Sequence, residues 1–100
     1  MCGVGGALAQ RVLLPDLLQR LAPALAHRGP DDAGSEIIAF SGEEGRALGL
    51  VHRRLAVIDP TDTGHQPMRD STTGNWISFN GEIYNFCALR RRLQSLGHIF

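Results

Sequence analysis

Met1-Cys2-Gly3-Val4-Gly5-Gly6-Ala7-Leu8 opens the chain, and its reading governs both the architecture and the chemistry. Residues 2–8 are glycine-rich and apolar, which suits a buried strand whose backbone is closely approached. Cys2 stands at the head of that strand. If Met1 is removed, Cys2 carries a thiol and a free α-amine on one Cα. A free thiol has a pKa near ~8.5 and an α-amine near ~7.7–8.0. The amine is then poised to take the thiol's proton directly or through one water, so the terminus does the work of a histidine base. With Met1 attached the same nitrogen is an amide and has no useful basicity. The competing reading of Cys2 is a small buried hydrophobe.

Outward from this strand, Pro15-Asp16 predicts a helix start, with proline tolerated in the first turn and aspartate favourable to the dipole. Leu17, Leu18, Leu21, Ala24 and Leu25 recur at helical spacing and are expected to face a core. Pro23 is expected to break this helix or begin a new short turn, and His27-Arg28-Gly29-Pro30 to end it in a tight loop. Residues 36–40 read as a strand, 41–45 as a polar turn and 47–52 as the hairpin partner. Residues 59–64 read as a loop of small polar residues, 75–79 as a strand, and 85–96 as a helix that turns at Gly97. Several strands in succession with helices at either end predict a layered α+β domain. Ending on Ile99-Phe100 without a charged tail reads as an interruption at the start of a strand, so a fragment of a longer protein is expected.

Composition narrows the function. The chain has 100 residues, 43% hydrophobic and 20% charged, with zero formal net charge. That describes one modest soluble domain. No basic surplus is available to neutralise a phosphate backbone, which argues against a nucleic-acid partner. Residues 8–14 are interrupted by Gln10 and Arg11, far short of a membrane span, and the start lacks a signal-peptide pattern. Cys2 and Cys87 are the only two cysteines, without a CxxC or metal-ligand spacing, so no metal site and a cytosolic setting are expected.

Asn80-Gly81-Glu82 is the second informative cluster. Asn-Gly is often only a hairpin turn. Placed at a strand end facing a thiolate, however, an Asn amide and a Gly N–H are two fixed donors for an oxyanion, and losing one such donor typically costs about 10²–10³ in turnover. Arg54, in His52-Arg53-Arg54-Leu55-Ala56-Val57-Ile58-Asp59, is a candidate clamp for a carboxylate; an exposed charge is the plainer alternative. His52 and His65 could be bases on paper, but an α-amine beside the thiol makes them unnecessary, and structural roles are expected. His27-Arg28-Gly29-Pro30-Asp31-Asp32 reads either as a pocket wall or as a hydrogen-bonded helix exit. Arg90, Arg91 and Arg92 read as a solvated helix face.

These segments, with Gly64-His65-Gln66-Pro67-Met68 and Asn80-Gly81-Glu82-Ile83-Tyr84-Asn85, occur in an order that strongly resembles the glutaminase domain of glutamine-hydrolysing asparagine synthetases. That domain is a class II glutamine amidotransferase, and the resemblance covers nearly the whole chain. It implies an N-terminal-nucleophile hydrolase fold, a four-layer αββα sandwich of antiparallel sheets, of which residues 1–100 are the first part. By matching position, Cys2 would be the nucleophile and Asn80 and Gly81 the oxyanion hole. Arg54 would hold the glutamine α-carboxylate and Glu82 its α-amino group. Leu55, Ala56, Val57 and Ile58 would line the glutamine site, with Arg28 and Asn85 in support. The resemblance further implies a downstream synthetase domain using ATP and Mg²⁺ to amidate aspartate, and a possible homodimer. The family's aspartate that also binds the substrate amine falls beyond Phe100. A different ammonia acceptor, or a non-catalytic module, are the alternatives.

Overall fold

The computed structural model describes residues 1–40, 42, 44–57 and 61–100. Strand β1 (Gly3–Gln10) leads through a 3₁₀ turn into helix α1 (Leu14–Ala24). Strands β2 (Asp32–Ala39) and β3 (Arg46–Arg54) follow. They form a three-stranded sheet of order β1-β3-β2, antiparallel at both interfaces. The two outer strands therefore run the same way, and parallel strands need a crossover rather than a tight turn. Helix α1 provides it and packs across all three strands.

Side chains alternate faces along a strand, and β3 shows it: Ala47, Gly49 and Val51 are buried under α1. Leu14 and Leu18, one helical turn apart, are the buried residues of α1. Glycine lets the helix sit this close. A Cβ on Gly49 would lie 2.8 Å from a Leu18 methyl and 3.1 Å from one of Leu14, and a Cβ on Gly5 would lie 2.8 Å from Leu21. The expected core face of α1 needs correction at both ends. Leu17 is 38% exposed and Ala24 is exposed, whereas Leu14, ahead of the expected start, is fully buried.

Pro23 does not break the helix where expected. It sits in the last turn of α1, and the Leu25 N–H still reaches the Leu21 carbonyl at 3.2 Å. Only beyond it does a separate 3₁₀ turn, Ala26–Arg28, begin. Strand β2 starts four residues earlier than the expected 36–40, because the ladder to β3 runs on to Asp32↔Arg54. Within the expected turn of residues 41–45, Ser41 and Glu43 lie outside the described residues, as do Asp59 and Pro60 of the expected 59–64 loop.

The remaining chain is lighter. β4 (Met68–Arg69) and β5 (Trp76–Ile77) make a two-residue antiparallel ladder. Asp70 organises the turn between them, accepting from the Thr72 and Thr73 N–H groups and the Thr73 hydroxyl. These donors, the Thr73 hydroxyl foremost, hold the Asp70 carboxyl below the usual carboxylate range. The expected strand over 75–79 shrinks to two residues because Phe79 spends its backbone groups elsewhere: its N–H donates to Gln66 Oε1 and its carbonyl faces His52 Nε2. Helix α2 (Phe86–Ser95) has no buried residue. It ends at Gly97, whose φ of 91° suits the left-handed C-terminal cap of a helix, with His98 N–H bonded to the Leu93 carbonyl. Arg91 and Arg92 are exposed, and Arg90 stacks 5.8 Å from the Phe100 ring.

Candidate functional site

Cys2 lies immediately before β1, and the register Gly3↔Arg53 brings it to the end of β3. There the Leu55 backbone N–H donates to Cys2 Sγ at 3.3 Å, and the thiol can return a weak bond to the Leu55 carbonyl at 3.8 Å. Cys2 is half-buried and unpaired, while Met1 ahead of it is 74% exposed.

The Leu55 amide is held by the loop after α1. The Asp31 N–H donates to the Arg54 carbonyl at 3.0 Å, and the Ala56 N–H donates to Asp31 Oδ2 at 2.8 Å. Arg53 Nε reaches back to the Gly29 carbonyl at 3.0 Å. The Arg-Gly-Pro-Asp loop and residues 53–56 thus brace each other, and the brace carries the donor that touches the thiol. By sequence Asp31 reads as either pocket wall or helix exit; in the structure it ties down the segment opposite Cys2.

A cleft of about 480 Å³ opens beside the thiol, and Cys2, Arg54, Gly81 and Glu82 all border it. Leu55, Ala56 and Val57 line its side; Val57 is 75% exposed at the rim, and Ile58 lies outside the described residues. Arg54 is fixed rather than loose: Nη1 donates to the Thr61 carbonyl at 2.6 Å, and its guanidinium lies over Gly64, where a Cβ would collide with it. A second hollow of about 340 Å³ adjoins on the other side of Cys2, bordered by Arg28 and Asn80. The nucleophile candidate is common to both hollows. Asn85 borders neither and sits at the N-cap of α2 without a side-chain capping bond. A larger hollow of about 740 Å³ lies at the far end of the sheet around Gln10, Arg11 and Arg46, with no thiol or other strong nucleophile.

Two histidines stand behind the site. His52 is 1% exposed in β3, with Nε2 3.2 Å from the Phe79 carbonyl. Burial pushes its pKa below the ordinary imidazole value, so the ring is neutral at pH 7. His65 Nδ1 meets Asp32 Oδ2 at 2.7 Å. Partial burial works to raise Asp32, but the His65 bond and the Ala33 N–H outweigh it and hold that carboxyl below its usual range. Among the described residues, no group of three or more His, Cys, Asp or Glu side chains could hold a metal ion. Nor is any helix among them long and apolar enough to cross a membrane.

A thiol at the head of a sheet shares one cleft with a fixed guanidinium and Gly81, and Asn80 borders the hollow on the thiol's other side. The chain belongs to the glutamine amidotransferase domain family, whose model matches residues 1–100. Among curated relatives, asparagine synthetase [glutamine-hydrolyzing] 1 of Bacillus subtilis is 37% identical over all of this chain. The asparagine synthetase of Asparagus officinalis is 39% identical over 93% of it, and asparagine synthetase 1 of Arabidopsis thaliana 38% over 95%. The chain spans about 15% of the length of each of these relatives. No solved structure gives a significant match.

Proposed function

We propose that this chain is the nucleophile-bearing part of a glutaminase domain that releases ammonia from glutamine. With Met1 removed, the Cys2 α-amine takes the thiol proton, and Sγ adds to the carbon of the glutamine side-chain amide. The carbonyl electrons move onto oxygen, where the Asn80 amide and the Gly81 N–H receive the charge. As that oxyanion collapses the carbon–nitrogen bond breaks, the α-amine hands its proton to the leaving nitrogen, and ammonia departs. The γ-glutamyl thioester that remains is cleaved by water, which restores the thiol and frees glutamate. Arg54 holds the α-carboxylate in a bidentate fork, Glu82 takes the α-amino group, and Leu55, Ala56, Val57 and Ile58 form the wall. Arg28 supports the Asn80 side, and Asn85 stands at the start of the helix that follows the corner.

The observation that carries this reading is the convergence on Cys2: an N–H on its sulfur, Arg54, Gly81 and Glu82 around one cleft beside it, and Asn80 in the adjoining hollow. In full length the domain would be the four-layer αββα sandwich, and its ammonia would serve a synthetase domain that activates aspartate with ATP and Mg²⁺. Two free thiols fit a cytosolic setting. In the full-length protein, Cys2→Ala is expected to abolish glutamine-dependent product formation while ammonia still supports it. Retained glutamine hydrolysis in that variant defeats the assignment, as does a mature terminus that keeps Met1 in active enzyme.

A further inference from the structure

The Asn80-Gly81 corner has little of its own to hold it. Both residues are exposed, and the ladder that precedes them is only two residues long. An oxyanion hole works only if its donors are fixed before charge develops. The fixing here comes one residue earlier, at Phe79. Its N–H donates to Gln66 Oε1 at 2.6 Å, and its carbonyl stands 3.2 Å from His52 Nε2. A carbonyl only accepts, so Nε2 carries the proton and the neutral ring leaves Nδ1 bare. Nδ1 is buried with no partner among the described residues, a state that suits the neutral tautomer and penalises an added proton there.

Both clamps are themselves anchored. His52 lies in the central strand, paired with Val4 on one side and Gly34 on the other. At Gly34 a Cβ would collide with the Gln66 carbonyl oxygen, so this glycine is what lets the Gln66 segment lie on the sheet. Gln66 in turn borders the same cleft as Cys2 and Gly81. We infer that His52 and Gln66 are positioning residues that hold the Asn80-Gly81 corner toward Cys2 by gripping the backbone carbonyl and N–H of Phe79. This rests on the glutaminase reading above and adds to it the parts that keep the donors in place.

The test uses the full-length protein and four forms: wild type, His52→Leu, His52→Gln and Gln66→Met. Leucine and methionine remove the polar atom, whereas glutamine can still present an N–H to Phe79. Loosening such a corner is expected to lower kcat for glutamine hydrolysis about 10–100-fold in His52→Leu and Gln66→Met. KM for glutamine and the ammonia-dependent reaction should change little, and His52→Gln should recover much of the loss. If His52→Leu does not fold, Gln66→Met and the tautomer decide. Long-range ¹H–¹⁵N spectra of the wild type should show His52 neutral and protonated at Nε2. Unchanged kcat in both variants that lack the polar atom, a loss confined to KM, or a proton on Nδ1 overturns the inference while leaving the glutaminase reading intact. A wild-type protein that folds but does not hydrolyse glutamine overturns the reading, and the positioning role falls with it.

Discussion

The two ends of the chain are built on different principles. In the first 54 residues a helix lies on a three-stranded sheet, and Leu14, Leu18, Ala47 and Val51 share a dry interface. From β4 onward, two short strands, α2 and the loops around them expose Ile77, Phe79, Ile83, Tyr84, Phe86, Leu89 and Leu96. Yet the candidate site draws on both, with its thiol and guanidinium in the packed region and its Asn-Gly corner in the sparse one. Packing fixes the first half; a few long-range hydrogen bonds attach the second. Chemistry at such a site should therefore be more fragile on the corner side than global stability would suggest.

The sharpest way to break this contrast is within the packed half. Leu14→Ala removes a fully buried side chain and is expected to cost about 2–5 kcal/mol in denaturant unfolding; a cost under about 1 kcal/mol would show that the helix–sheet interface is not the main core. Gly34→Ala comes next, at about 1–3 kcal/mol for a methyl group forced against the Gln66 carbonyl. Its glutamine turnover should fall further than its melting temperature implies; a turnover loss no greater than the stability loss explains would count against Gly34 seating the Gln66 segment.

A smaller effect is expected with pH. Burial lowers the folded-state pKa of His52, so the unfolded chain binds the proton at higher pH than the folded one. The stability this neutral ring contributes is complete above the unfolded value of about 6.5 and is lost as pH falls from there through the folded pKa. The urea midpoint should thus drop as pH falls below about 6.5, and His52→Gln should flatten the drop. Smallest of all, Leu89→Ala on α2, whose residues are not buried, should shift the stability of this 100-residue chain by no more than about 0.5 kcal/mol. Hydrogen exchange sharpens the same point: β3 amides should be far better protected than those of α2, and equal protection would erase the contrast.

Local patterns carried much of this into the sequence. The 47–52 run and the 85–96 helix were readable because each follows the period of its own element, and the Gly97 stop follows from backbone freedom; the glycine-rich start is a strand as expected but not a buried one, since β1 lies at the sheet edge with only Gly3 buried. The α+β class follows from their order. The error at Pro23 came from treating proline as a break when it stood close enough to the natural end to be absorbed. The expected strand 75–79 is longer than the observed one because its apolar residues say nothing about where Phe79 sends its N–H and carbonyl. Cys2, Arg54 and the Asn80-Gly81 corner stood out by residue type. Asp31, Gln66 and His52 did not, because their roles lie in bonds to backbone atoms distant in sequence, 27 residues away for His52 and 13 for Gln66. Side-chain identity alone does not encode such partners.

The pairing Gly3↔Arg53 sets how far Cys2 stands from the Leu55 amide. Strands repeat every two residues, so a slip of one step turns every side chain to the opposite face. Reach between sulfur and donor is therefore counted in rungs, not tuned by neighbouring side chains. Substitutions along the outer edge of β1 should leave that spacing alone, whereas adding or deleting a single residue between Cys2 and Gln10 would miscount it and strand the thiol.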